Sequence, residues 1–143
     1  MSGPQRSRGN EHLSLAHLFT IGVGPSSSHT VGPMRAGRLF LDQISDRLGR
    51  LTRLECDLYG SLALTGVGHG TDNAVLLGLS GETPELIDVD RAPEIANRIH
   101  ATRQLMVDGR FAVPFTPSAD LRLNKGVFLP GHSNAMVFTA TFA

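Results

Sequence analysis

The sequence predicts an α/β domain in which helices pack against a mixed sheet of about four strands. Apolar residues recur at helical spacing in some segments and alternate with polar residues in others. Glycine- and proline-rich connections separate these segments. A chain of 143 residues also matches one ordinary domain with its own core.

The N-terminal part contains a polar tail and two predicted helices. Residues 1–12 have nothing to bury and are predicted to be a disordered tail or a cloning remnant, ahead of a domain that spans residues 13–143. Leu13 to Phe19 is predicted to be a short helix or turn that buries Leu15, Leu18 and Phe19. After a glycine-rich loop, a longer helix with Pro33 near its start runs to Gly49. Its apolar face consists of Met34, Leu41, Ile44 and Leu48.

The middle of the chain contains the clearest strand. Leu54 to Tyr59 alternates apolar and acidic or polar residues, which is typical of a strand with one buried face. A second helix is predicted from Asn73 to Leu79, with Thr71 or Asp72 as its N-cap and Gly81 after its end. The segment from Thr83 to Val89 is a candidate short strand.

The C-terminal part is predicted to hold one helix and three strands. Ala92 to Val107 has Ile95, Ile99 and Met106 at helical spacing. The β-branched and apolar residues that favour strands lie in three segments, Phe111 to Phe115, Ala119 to Asn124 and Ala135 to Phe142. The last segment stops without a cap or polar tail, which favours a domain cut from a longer protein over a natural C-terminus.

Composition excludes several classes of function. The 13 basic and 13 acidic residues cancel, so nothing indicates binding to nucleic acid or to an anionic membrane. No apolar run approaches the ~20 residues of a membrane span. Cys56 is the only cysteine, which excludes an internal disulfide and cannot alone hold zinc or an iron-sulfur cluster. These features predict a cytoplasmic protein that recognises small ligands.

The segment from Gly22 to Pro33 is the strongest candidate for a binding site. It joins glycines, hydroxyl side chains and an imidazole at the start of a helix, where unpaired amides favour an anion. Helix capping explains one or two hydroxyls but not all of them. The lysine of a nucleotide-binding P-loop is absent, since His29 occupies its place. The hydroxyl and imidazole side chains belong to Ser26, Ser27, Ser28, His29 and Thr30.

Two further histidines lie in glycine-rich connections. His69 stands between Gly68 and Gly70, and His132 follows Pro130-Gly131. An incidental histidine in a surface loop is the alternative for each, but together with His29 they suggest acid/base chemistry. A metal site of three histidines is weaker, because the separations match no compact zinc pattern. The others, His12, His17 and His100, are predicted to be solvated or structural.

Three motifs resemble the β domain of iron-sulfur L-serine dehydratases. They are Leu18 to Met34, Asp57 to Asp72 with the sequence GHGTD at its end, and Pro130 to Met136 with the sequence PGHSNAM. The resemblance extends over nearly all of residues 13–142. One departure is Val137, where the family often has a basic residue, followed soon by an Asp-Gly turn that is absent here.

The resemblance implies an enzyme that converts L-serine to pyruvate and ammonia. It further implies a four-iron four-sulfur (4Fe-4S) cluster in a separate α domain or α chain, whose cysteines this chain lacks, so that the β domain alone would be inactive. The implied fold is similar to the allosteric substrate-binding domain of phosphoglycerate dehydrogenases. Whether two β domains pair as a homodimer stays open.

The resemblance also implies roles for individual residues. His69 and His132 are candidates for proton transfer, without a decision on which is the base. Ser26, Ser27, Ser28, His29 and Thr30 would hold the substrate carboxylate or line its approach. The secondary polar contacts would be Tyr59, Ser61, Thr65 and Asn134. The alternative function is a non-catalytic module that senses serine or another small anion.

Overall fold

The computed structural model describes residues 13–20, 31–65, 70–132 and 134–143. The strands in these segments are β1 (Leu13–Thr20), β2 (Leu51–Gly60), β3 (Gln104–Val107), β4 (Phe111–Pro114), β5 (Leu121–Asn124) and β6 (Asn134–Phe142). The helices are α1 (Val31–Gln43), α2 (Ser61–Thr65), α3 (Thr71–Leu79), α4 (Ala92–Thr102) and α5 (Pro117–Asp120), with a 3-10 helix (Ser45–Arg50) between α1 and β2. The predicted tail, residues 1–12, lies outside the described residues.

Four of these strands form a mixed sheet, which confirms the predicted fold class. The strand order is β1-β6-β2-β5, and β3 and β4 form a separate two-stranded sheet. The strand β6 is antiparallel to both β1 and β2, whereas β5 is parallel to β2. The parallel pair is possible because the long connection between β2 and β5 carries helices α2 to α5 and the β3–β4 hairpin.

The sheet has a covered face and an open face. On β2 the side chains of Leu54, Cys56 and Leu58 are completely buried, and they join the helices in one core. The alternate residues, Glu55, Asp57 and Tyr59, are only partly buried. We call their side of the sheet the open face, because helices α1 to α4 contribute their buried residues to the core on the other side. The predicted alternation along this strand is therefore confirmed.

Helices α1 and α3 cross in close contact over the covered face. Gly37 of α1 lies against Gly78 of α3, and a Cβ atom built on Gly78 would be 2.3 Å from the carbonyl oxygen of Met34. Only glycine allows the two backbones to approach this closely. Both helices begin just after segments that carry predicted site residues, and this crossing fixes the positions of the two helix starts relative to each other.

The prediction of a short helix or turn at Leu13 to Phe19 is wrong. This segment is the strand β1, which pairs residue by residue with β6 over its whole length. Leu15 and Phe19 pack against the core as expected, but Leu18 points to the open face and is 48% exposed. Apolar residues on both sides of a short strand resemble one turn of helix, so periodicity could not separate the two.

The predicted helix from Ala92 to Val107 is too long. It ends at Thr102, because Arg103 adopts a left-handed conformation with φ of 57°. The chain then forms the β3–β4 hairpin, in which Met106 is exposed on a strand. The candidate strand from Thr83 to Val89 consists of turns instead. Their backbone bonds are local, such as that from the Ile87 amide to the Thr83 carbonyl.

The remaining helix predictions differ from the structure mainly at their ends. Residues Ile44 and Leu48 are buried as expected, but the α-helix α1 ends at Gln43 and a 3-10 turn follows. Helix α3 begins at Thr71, so its N-cap is Gly70 in a left-handed conformation instead of Thr71 or Asp72. No helix among the described residues has the length and apolar character needed to cross a membrane.

Candidate functional site

Four strand ends meet at one edge of the sheet. Strands β1, β2 and β5 finish there and β6 begins there, because β6 runs in the opposite direction. The registers align Thr20, Ala135, Tyr59 and Asn124 in one row across the four strands. Adjacent strands are ~4.8 Å apart, so Thr20 and Tyr59 lie ~10 Å from each other. We call this edge the site edge.

A tight turn brings His132 to the site edge. The His132 amide donates to the Leu129 carbonyl at 2.9 Å, and Gly131 has φ of +80°. Proline at the second position and a glycine with positive φ at the third are the requirements of a type II turn. The local sequence Leu-Pro-Gly-His thus explains why His132 projects from this connection just before β6 begins.

The imidazole of His132 contacts a hydroxyl from another strand. Its Nδ1 atom lies 2.7 Å from Oγ1 of Thr20, the last residue of β1. The hydroxyl can either accept a hydrogen bond from Nδ1–H or donate a hydrogen bond to Nδ1, depending on the tautomer of the ring. This contact fixes the ring at the end of β1, while Nε2 has no partner among the described residues.

Ser61 and Asn134 form a second polar pair at the site edge. Ser61 follows β2 as the first residue of α2, and Asn134 lies opposite Gly60 as the first residue of β6. The Ser61 hydroxyl donates to Oδ1 of Asn134, whose side chain is buried. Within the described part of the chain, the Asn134 amide nitrogen has no acceptor.

Tyr59 lies on the other side of the sheet from this pair. Successive residues of a strand face opposite sides, so Tyr59 projects to the open face while Gly60 and Asn134 adjoin the covered face. Burial, together with the nearby Asp57 carboxylate, raises the pKa of the Tyr59 hydroxyl. Tyr59 therefore stays protonated near neutral pH and can act as a hydrogen-bond donor.

An ionic network joins β2 to β5 next to the row formed by Thr20, Ala135, Tyr59 and Asn124. Arg122 of β5 makes two bonds to the Asp57 carboxylate, at 2.8 and 2.9 Å, and a third to Glu55 at 2.9 Å. Asn124 donates to Asp57 and to the Leu58 carbonyl, both at 3.2 Å. Partial burial raises the pKa of Asp57, but the hydrogen bonds from Arg122 and Asn124 together lower it by more, so the net shift of the pKa is downward. These bonds hold β5 in register beside Tyr59.

The structure describes only part of the predicted site. It brings Ser61 together with Asn134 and places His132 at the same edge, whereas Tyr59 makes no hydrogen bond to these side chains within the described segments. The loop residues Ser26, Ser27, Ser28, His29 and Thr30 lie outside the described residues, as does His69. Thr65 ends α2, and its side chain is also outside the described set.

Sequence reasoning missed Thr20 and Asn124. Thr20 was missed because Leu13 to Phe19 was predicted to be a helix or turn, so the sequence analysis did not recognise Thr20 as the end of a strand. Asn124 ends a predicted strand, and a polar residue at the end of a parallel strand is the available signal. Both positions became recognisable only through the register of the sheet.

The described residues offer no site for an iron-sulfur cluster. They include no group of three or more His, Cys, Asp or Glu side chains that could hold a metal ion. Cys56 is completely buried in the core, where burial and the neighbouring Asp57 raise the pKa of its thiol. Since the thiolate is the form that binds iron, Cys56 does not fit this role.

Comparison with known proteins connects the chain to one family. The family described as serine dehydratase beta chain matches residues 14–143. L-serine dehydratase 1 of Escherichia coli K12 is 43% identical over 127 residues, which is 87% of this chain. L-serine dehydratases of Mycobacterium tuberculosis and Streptomyces coelicolor are 46% and 42% identical, each over 90% of this chain.

These relatives are much longer than the chain described here. The match covers 28% of the Escherichia coli and Mycobacterium tuberculosis proteins and 29% of the Streptomyces protein. The family match nevertheless extends over almost the whole chain, and it includes every strand of the site edge. The chain belongs to the serine dehydratase beta chain family.

Proposed function

We propose that this chain is the β domain of an L-serine ammonia-lyase, which converts L-serine to pyruvate and ammonia. The observation that carries the proposal is that His132, held by Thr20 on the open-face side, and the Ser61–Asn134 pair on the covered-face side lie at the same end of the sheet, in a chain of this family. The site combines an imidazole for proton transfer with amide donors for a carboxylate. The cluster ligands would come from a companion α domain, and no step below is assigned to the cluster.

The substrate carboxylate is assigned to donors that the fold supplies. Asn134 is suited to this role because Ser61 occupies its oxygen, which orients the amide N–H groups toward any anion at the edge. Ser26, Ser27, Ser28, His29 and Thr30 would complete the cradle, since they directly precede α1. The first turn of α1 contains no acidic residue, so its positive end is available to an anion.

Proton transfer is assigned to His132 and His69. In the reaction the Cα–H bond breaks and its electron pair forms a carbon–carbon double bond, while the Cβ–O bond breaks and the departing hydroxide takes a proton. The resulting enamine is hydrolysed to pyruvate and ammonia, using as much water as was released. When Thr20 accepts from Nδ1–H of His132, Nε2 carries the lone pair and can take a proton. The imidazolium that results still donates from Nδ1 to the Thr20 hydroxyl, which keeps the ring in place.

The test uses the complete enzyme that contains this domain. We expect His132→Ala to lower kcat by about a hundredfold or more, with a smaller loss for Thr20→Val, which removes only the orienting hydroxyl. His100→Ala is the matched control, because His100 lies exposed on α4, where Asn73 at 3.4 Å is its one hydrogen-bond partner among the residues that the structure describes. Pyruvate formation is measured while visible absorbance reports the cluster. Normal turnover of the His132→Ala enzyme would contradict the assignment.

The sensing alternative predicts a different result for this chain by itself. Calorimetry with L-serine and D-serine measures whether the isolated chain binds the substrate. Half of an active site should bind weakly and with little stereoselectivity, since the other half of its contacts is missing. Tight binding of L-serine but not of D-serine, together with unchanged turnover of the His132→Ala enzyme, would favour a sensor.

A further inference from the structure

A groove with a volume of about 580 Å³ lies along the outer side of β5. Leu121, Arg122 and Leu123 of β5 line it, together with Lys125 just after the strand. Strand β5 pairs with β2 alone in the described part of the chain, so no described strand covers this side. Small-molecule sites have volumes of ~300–1,000 Å³. None of the described residues to which the reaction is assigned lines the groove, so it is separate from the candidate active site.

The floor of this groove is apolar. Leu121 and Leu123 point to the covered face, because Arg122 between them points to the open face, where two carboxylates bind its guanidinium. Pro117 of α5 adds its ring at the start of β5. Since the charge of Arg122 is already paired, these residues offer a ligand mainly carbon surface.

Two opposite charges line the same groove without an ionic partner. Lys125 is the only lysine of the chain, and it is exposed and makes no ion pair among the described residues. Asp72, in the first turn of α3, accepts a hydrogen bond from the Asn73 amide at 2.8 Å through one carboxylate oxygen. Its other oxygen has no partner within the described segments. The groove thus offers an ammonium group and a carboxylate beside an apolar floor.

This combination identifies the class of ligand. A free α-amino acid carries a carboxylate for Lys125, an ammonium group for Asp72 and a side chain for the floor. A phosphate or a dicarboxylate fits less well, because a single lysine would balance two negative charges next to Asp72. The floor favours an aliphatic side chain over a hydroxylated one, since a hydroxyl loses water there. We propose that this groove binds a free α-amino acid with a large aliphatic side chain.

The first test varies the ligand and leaves the chain unchanged. Titration of the isotope-labelled 143-residue chain with L-leucine should shift the amide NMR signals of residues 121–125 and saturate at millimolar concentration. Leucinamide, which has no carboxylate, and isocaproate, which has no ammonium group, should each bind about fivefold more weakly. L-serine should bind at least about tenfold more weakly, because it buries no aliphatic side chain. Shifts that do not saturate by ~20 mM L-leucine, or equal binding of L-serine, overturn the proposal.

The second test removes each charge in turn. Lys125→Gln should weaken L-leucine binding about fivefold and leave leucinamide binding unchanged, because leucinamide has no carboxylate to lose a partner. Asp72→Asn should weaken L-leucine equally and leave isocaproate unchanged. Asp46→Asn and Arg47→Gln are the matched controls, because they lie in the 3-10 helix and neither lines the groove. L-leucine binding that both groove variants leave unchanged overturns the proposal, and so does an equal loss of L-leucine and leucinamide binding in Lys125→Gln. The proposal does not depend on the reaction assigned above.

Discussion

The two faces of the sheet use opposite physical means to hold the same strands. On the covered face, Phe138 is completely buried, stacks on Phe40 at 5.1 Å and meets Phe19 edge-on at 5.5 Å. On the open face, Asp57 and Arg122 join β2 to β5 through paired hydrogen bonds that remain partly accessible to water. Apolar packing on the covered face therefore supplies most of the stability, while the ionic contacts on the open face keep β2 and β5 in register beside the site edge.

Removing Phe138 should have the largest effect on stability. Phe138→Ala leaves a cavity among aromatic rings on the covered face, and we expect it to lower the free energy of unfolding by about 3–5 kcal/mol. Thr139→Ala is the matched control one residue away on the open face, with an expected loss of about 1 kcal/mol or less. Urea denaturation measures both. Equal losses would show that the two faces do not differ as described.

Adding a methyl group at the helix crossing should have the next largest effect. In Gly78→Ala the new Cβ would lie 2.3 Å from the Met34 carbonyl oxygen, a backbone atom that moves only with its helix. We expect a loss of about 3 kcal/mol from overpacking. Gly49→Ala is the control, since its Cβ would meet Phe111 at an ordinary 3.7 Å. Thermal and urea unfolding compare the two, and unchanged stability of Gly78→Ala would contradict the tight crossing.

Neutralising Asp57 should have a smaller effect that depends on pH. Asp57→Asn removes the charged partner of Arg122, and we expect a loss of about 2 kcal/mol at neutral pH. The pKa of Asp57 is lowered in the folded state, so its contribution is present above the unfolded pKa and disappears as pH falls through the folded pKa. The difference between wild type and variant should therefore narrow below pH ~4. Urea denaturation across this range measures it, with the exposed Asp46→Asn as control. A constant difference would contradict the ionic role.

Arg53 should have the smallest effect. It contacts Asp120 at 3.1 Å and Glu55 at 3.5 Å, but its side chain is 55% exposed. We expect Arg53→Ala to cost less than about 1 kcal/mol, and the cost should decrease in high salt. Arg122→Ala, measured alongside, should lower the free energy of unfolding by more, because Arg122 makes two hydrogen bonds to the two carboxylate oxygens of Asp57. Equal costs would mean that the paired bonds add nothing.

The fold could be predicted where local pattern and tertiary environment agree. The alternation in β2 and the β-branched run of β6 identified these strands, and the glycine in the connection after α3 identified its end. The prediction failed at Leu13 to Phe19, where apolar residues on both faces obscure the period. It also failed at Arg103, because its left-handed conformation leaves no mark in helical spacing. Both errors concern positions at which neighbouring strands decide the outcome.

The candidate site could be predicted only as separate pieces. Pro130-Gly131 predicts a turn and the following histidine stands out, but nothing in the sequence places Thr20 next to His132. Ser61 and Asn134 were named through family resemblance, yet their direct bond depends on the antiparallel register of β2 and β6. The roles of His69 and of the loop from Ser26 to Thr30 stay predictions.

The sequence by itself determined the α/β class, the two central strands and the family, because alternation, turn residues and long motifs are local properties of the chain. The tertiary structure decided what those elements bring together. Strand order and register placed Thr20, Tyr59, Asn124 and Asn134 at one edge, although more than a hundred positions separate the first from the last. Such contacts arise from burying one face of each strand against shared helices, which no short window of sequence contains.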